Sequence, residues 1–185
     1  GTDVHLQIRY AVLSDVDLNI VQRLERPVQQ SGLFANAINE KKRHKGFKLE
    51  FTELFNNTDY VGATHSAIFK PILGELEYLA NISADIKHLI VYSNLVENSD
   101  WLSYYRGSDL WSLRHKPNTV VKRYLAQVPQ DVNYKGVTLQ IVYQPTDYKD
   151  NIRFKRLRSI YTTVFKELEI PIIFSANLTK AQDVL

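Results

Sequence analysis

Residues 87–99 read KHLIVYSNLVENS. Leu89, Ile90, Val91 and Tyr92 form a continuous apolar run that breaks at Ser93-Asn94, and a polar, acidic loop follows. Strands buried on both faces have this form, and in open parallel sheets the loop beyond such a strand is where ligands bind. The pattern predicts a central strand over 88–93. It also raises a question: why does the polar end carry Ser93-Asn94 instead of a carboxylate that could hold a metal?

The rest of the chain fits an alternating α/β order. Val4, Leu6, Ile8, Tyr10 and Val12 alternate with His5, Gln7, Arg9 and Ala11, which predicts a side strand over 4–13. A polar turn and an irregular stretch around Pro27 and Gly32 follow, over 14–33. Spacings of three and four among Phe47, Phe51, Leu54 and Phe55 predict a helix over 34–55, which Gly46 weakens at its middle. A second helix runs from Thr64 or Ser66 to Ala80, with Ile68, Ile72, Leu73, Leu76 and Leu79 as its apolar stripe. Pro71 fits if it falls in the opening turns.

After the 88–93 strand comes a loop holding both tryptophans. Asn118 then looks like the N-cap of a helix that carries Val120, Val121, Tyr124 and Leu125. Strands are expected at 137–144 and 171–177, with an amphipathic helix over 150–169 between them. With right-handed crossovers, this order predicts one α/β domain over 1–185, a mostly parallel Rossmann-like sheet with helices on both faces.

Composition bounds the role. The chain has 185 residues, enough for one domain that buries roughly 70% of its unfolded surface. The longest apolar runs are far shorter than the ~20 residues of a membrane span. With no cysteine there is no disulfide, thiolate metal site or cysteine nucleophile. The net charge of +3 is small for a nucleic-acid binder. Histidines 5, 44, 65, 88 and 115 form no pair at metal-ligand spacing. No G-x-S-x-G elbow, Walker loop or dinucleotide fingerprint occurs, so nothing points to catalysis.

The segment HLIVYSNLVENSDWLSYYRG (88–107) resembles the central part of von Willebrand factor A-like domains, in particular a poorly characterised bacterial group. In that group a buried strand ends in Ser-Asp, followed by an ENS-like loop and an aromatic stretch. GATHSAI (62–68) resembles the family's threonine loop; GVTLQIVYQPTD (136–147) and IPIIFSAN (170–177) resemble its last two strands. The resemblance implies a fold of that type and a protein partner. It also implies an adhesion site in which three loops hold Mg2+ with hydroxyl and carboxylate oxygens.

On that pattern Thr64, or its neighbour Ser66, stands for the second loop, and Asn94 stands where the third loop's aspartate would be. An amide in place of a carboxylate weakens a cation site, so a degenerate site without a bound cofactor is expected. Asp15 and Asp17 are the weak candidates for the first loop, but their strand alternates like a side strand. The family's first strand is accordingly expected to lie outside this chain, or to be supplied by a second molecule as a homo-oligomer.

These residues predict a non-enzymatic protein-interaction module whose partner site is Thr64, Ser66, Ser93, Asn94 and Glu97. The bland alternative for Ser93 and Asn94 is loop capping by hydrogen bonds. The resemblance favours an extracytoplasmic location. Lys41, Lys42, Arg43, Lys45 and Lys48 carry a second expectation, a nucleic-acid contact through phosphates, set against an ordinary solvated helix face. Trp101, Tyr104, Tyr105 and Trp111 are either an exposed contact patch or are buried under their loop.

Overall fold

The structure, a computed structural model, describes residues 5–12, 21–26, 37–56 and 66–176. The sequence suggests one domain over 1–185; the contacts gather into two compact units, Gly1–Thr64 and His65–Leu185.

In the first unit, β1 (Leu6–Ala11) pairs antiparallel with β2 (Val21–Arg26), with Ile8 opposite Leu24 and Ala11 opposite Val21. This corrects two expectations. The 4–13 strand forms a two-stranded sheet of its own instead of flanking the parallel sheet, and 14–33 contains a strand. β2 reads VQRLER, and its charged residues hide the alternation that marks β1. Helix α1 (Ala37–Asn56) runs unbroken through Gly46.

The second unit is an α/β layer. Helix α2 (Phe69–Asn81) leads to β3 (Lys87–Tyr92); α3 (Gly107–His115) and α4 (Pro117–Leu125) follow, then β4 (Val137–Val142), α5 (Tyr148–Glu167) and β5 (Ile172–Ser175). α2 starts late enough to keep Pro71 in its first turn, where a missing N–H costs no hydrogen bond. α4 starts one residue before the expected cap. Pro117 takes its first position, and Asn118 lies inside the helix. Asp147 caps α5 by accepting from the Asp150 N–H at 2.9 Å.

The three strands are parallel in the order β3-β4-β5, with Leu89 beside Leu139 and Ile141 beside Phe174. β4 is therefore central, and β3 is an edge strand among the described residues. The expected central strand over 88–93 is corrected to that extent. Among the described residues, the helices of the second unit gather on one face. The strands lie side by side in chain order, so each right-handed crossover returns over the same face. The core gathers there: Val91, Leu139, Ile141 and Phe174 pack with Phe69, Leu76, Tyr124, Leu157 and Phe165. On the opposite face Gln140 and Val142 of β4 are buried, while Ile90 and Tyr92 of β3 are 39% and 55% exposed.

Candidate functional site

The predicted site lies in the loop that leaves β3, and the loop's own backbone explains the Ser93-Asn94 pair. The Ser93 Oγ accepts from the Leu95 N–H at 3.0 Å, and the Asn94 Oδ1 accepts from the Val96 N–H at 3.0 Å. Each side chain imitates a backbone turn two residues on, which a hydroxyl and a neutral amide do without bringing in a charge. Leu95, between them, takes a left-handed φ of 62° with its side chain fully buried.

Glu97 does something sequence reasoning missed. It is fully buried, and its Oε2 accepts from the Ile68 and Phe69 N–H groups at 3.1 and 3.0 Å. A carboxylate distant in sequence thus satisfies two orphan donors at the start of α2, which has no side-chain cap of its own. Burial pushes the Glu97 pKa up; the two N–H groups, Ser99 and the Trp101 indole oppose that shift. Its Oε1 makes no hydrogen bond of ordinary geometry. Phe69 also meets Tyr124 edge-on at 4.6 Å, which sets this carboxylate beside an aromatic cluster.

The rest of the ENS motif locks the loop. Ser66 and Asn98 exchange backbone hydrogen bonds at 3.0 and 2.9 Å, and Ser103 Oγ donates to the Asn98 Oδ1 at 2.7 Å. Asp109 is buried on α3 and accepts from the Ser103 N–H at 2.9 Å and from Arg123 of α4 at 2.6 Å. Arg123 donates as well to the Trp101 carbonyl. Burial would raise the Asp109 pKa, but the Ser103 and Arg123 hydrogen bonds outweigh it and hold the carboxyl below its usual value. Neither α3 nor the Asp109–Arg123 pair was expected. α3 buries Leu113 and packs Leu110 against the core, and the Asp109–Arg123 contact ties it to α4.

Among the predicted site residues, Ser66, Ser93, Asn94 and Glu97 belong to one network, in which Glu97 is inaccessible and Ser66 is exposed. Thr64, Asp15 and Asp17 lie outside the described residues. The donor set does not fit a hard cation: Ser93 and Asn94 each accept a loop N–H, and Glu97 faces two more. Among the described residues no cluster of three acidic or histidine side chains gathers to hold a metal. Of the aromatic candidates, Tyr104 is buried and hydrogen-bonds Tyr124 at 3.1 Å, Trp101 is partly buried, and Tyr105 and Trp111 are exposed. Lys41, Lys42, Arg43, Lys45 and Lys48 all stand exposed on α1.

Among the described residues, no strand pairs with the outer edge of β3. The Ser93 N–H donates to the Val142 carbonyl, so odd-numbered residues of β3 face β4 with their backbone groups. By the alternation of a parallel strand, His88, Ile90 and Tyr92 point theirs away from β4. The same three side chains lie on the face opposite the core. His88 keeps a buried Nε2 with no partner, and burial pushes its pKa down.

No family model, curated protein or solved structure matches the chain.

Proposed function

We propose that the chain is a non-enzymatic protein-interaction module, von Willebrand factor A-like in type, that associates homotypically through the outer edge of β3. The observation that carries this is an edge strand whose outward backbone groups coincide with the exposed Ile90 and Tyr92. Such an edge recruits a further strand, with main-chain hydrogen bonds supplying affinity and side chains supplying register.

β3 is self-complementary for an antiparallel pairing. Centred on Ile90, that pairing sets Ile90 against Ile90 of the second copy and His88 against its Tyr92. Aromatic cross-strand pairs of this kind contribute roughly 0.2–1 kcal/mol each. Lys87 meets Ser93, so no like charges oppose each other. The Tyr92 ring of the second copy comes alongside the imidazole whose Nε2 has no partner. The expected strand against 88–93 is then another β3, and the joined sheets are continuous.

Proline substitution tests this directly. Ile90→Pro removes an outward N–H and leaves the fold, because proline is tolerated on an edge strand. It abolishes self-association. If the wild-type chain self-associates and Ile90→Pro does so equally well, the edge is not the interface.

A second reading rests on α1, whose exposed basic residues 41–48 could meet phosphates. It predicts an electrophoretic shift of nucleic acid that weakens with salt and disappears when Lys41, Lys42 and Arg43 become Glu. A chain that shifts no nucleic acid at low salt removes this reading.

A further inference from the structure

Beyond the carboxyl end of β4 the chain turns into α5, and a cleft of about 350 Å³ opens between the first turns of α5 and the last turns of α3. Ligands of parallel sheets bind in this position, outside the strand ends. Arg114 of α3 and Lys149, Arg153 and Arg156 of α5 line the cleft.

The carboxylates on its wall are already engaged. Asp147 caps α5. Asp150 accepts from the Tyr143 hydroxyl at 2.7 Å, the Thr146 N–H at 3.0 Å and Arg153 at 3.3 Å. Arg153 therefore has its counter-charge, although its Nε is buried with no acceptor. Arg114, Lys149 and Arg156 have no carboxylate partner among the described residues. Three uncompensated cations thus surround one cleft with Asp147 as the remaining opposing charge.

We propose that this cleft binds a phosphate-bearing small molecule. Guanidinium forks match phosphate oxygens two at a time, and a lysine adds a point charge. A ligand with more than one negative charge is needed to balance the three cations. The cleft's volume lies at the small end of the roughly 300–1,000 Å³ typical of small-molecule sites. Tyr148 lines it with 78% of its surface exposed. This site is separate from the β3 edge and does not depend on self-association.

Calorimetric titration at low salt with pyrophosphate, with citrate as a multivalent anion lacking phosphate, tests the proposal. Pyrophosphate is expected to bind with a Kd below about 1 mM. The Lys149→Gln, Arg156→Gln double variant should bind at least about tenfold more weakly, its far-UV spectrum unchanged because both side chains are exposed. Should that variant misfold, Arg114→Gln on α3 reads the same site. Ile90→Pro should leave the affinity unaltered. The proposal is overturned by an absence of saturable pyrophosphate binding, by equal binding in the folded variants, or by citrate binding as tightly as pyrophosphate.

Discussion

Glu97 shows how one side chain can resemble a binding residue and act as a fastener. Quoted in the motif Glu97-Asn98-Ser99, it reads as an exposed acidic loop, because nothing local tells that Ile68 and Phe69 bring two bare N–H groups to it. The turn chemistry of Ser93 and Asn94 was legible, since both residue types bond their own backbone two positions on. Two predictions follow from Glu97. Glu97→Ala leaves both N–H groups buried without an acceptor, at about 1–3 kcal/mol each, and urea unfolding should show a loss in that range or above it. Glu97→Gln keeps an acceptor and removes the titration. Because the folded pKa lies above the ordinary 4.5, the folded state holds its proton more tightly, and stability falls as pH rises from 4.5 through the folded value. Wild-type unfolding free energy should decline across that window, and the Gln variant should not. Asp109 has the opposite sign. Its pKa is held below 3.8, so its contribution is present above that pH and is lost on acidification through the folded value. Asp109→Asn should cost about 2 kcal/mol at neutral pH and flatten the acid limb of the stability profile.

Strands and helices were legible where their pattern was strong. β4, with Val137, Leu139 and Ile141 fully buried, and α5, with its stripe of Leu157, Ile160, Tyr161, Val164 and Phe165, stand within a few residues of their expected bounds. β2 and α3 were missed for physical reasons. The first is charged along its length, and the second is nine residues long and fully buries only Asp109 and Leu113, too little for an apolar pattern to show. The rank of β3 within the sheet was not legible either: an apolar run signals burial, and here Ile90 and Tyr92 belong to the run yet stand exposed. Backbone direction separates the two sides of this strand. Val91→Pro removes a backbone group that faces β4 and lies in the core, and should cost about 3 kcal/mol or more by thermal or urea unfolding. Ile90→Pro, one residue away with its N–H on the outer edge, should unfold close to the wild type at concentrations where the wild type is monomeric. Equal losses in the two variants would mean that the outer edge is already paired within the chain.

The order of strands explains why the helices of the second unit share one face; on the other, Ile90 and Tyr92 of β3 stand exposed. Chain order alone predicted α/β alternation. It could not say that the sheet never reverses direction among the described strands, and that reversal is what covers a second face. The resemblance to von Willebrand factor A-like domains singled out the loop after β3, and in this chain that loop's polar groups bind its own backbone. Beside it, the outer edge of β3 has no paired strand among the described residues. Sedimentation velocity over a range of concentrations, for wild type and Ile90→Pro, tests this most directly. Wild type should sediment as a dimer of the 21.4 kDa chain, and Ile90→Pro as a monomer with an unchanged far-UV spectrum. A wild-type chain that stays monomeric up to about 100 μM, or a variant that dimerises equally, would contradict homotypic pairing through β3.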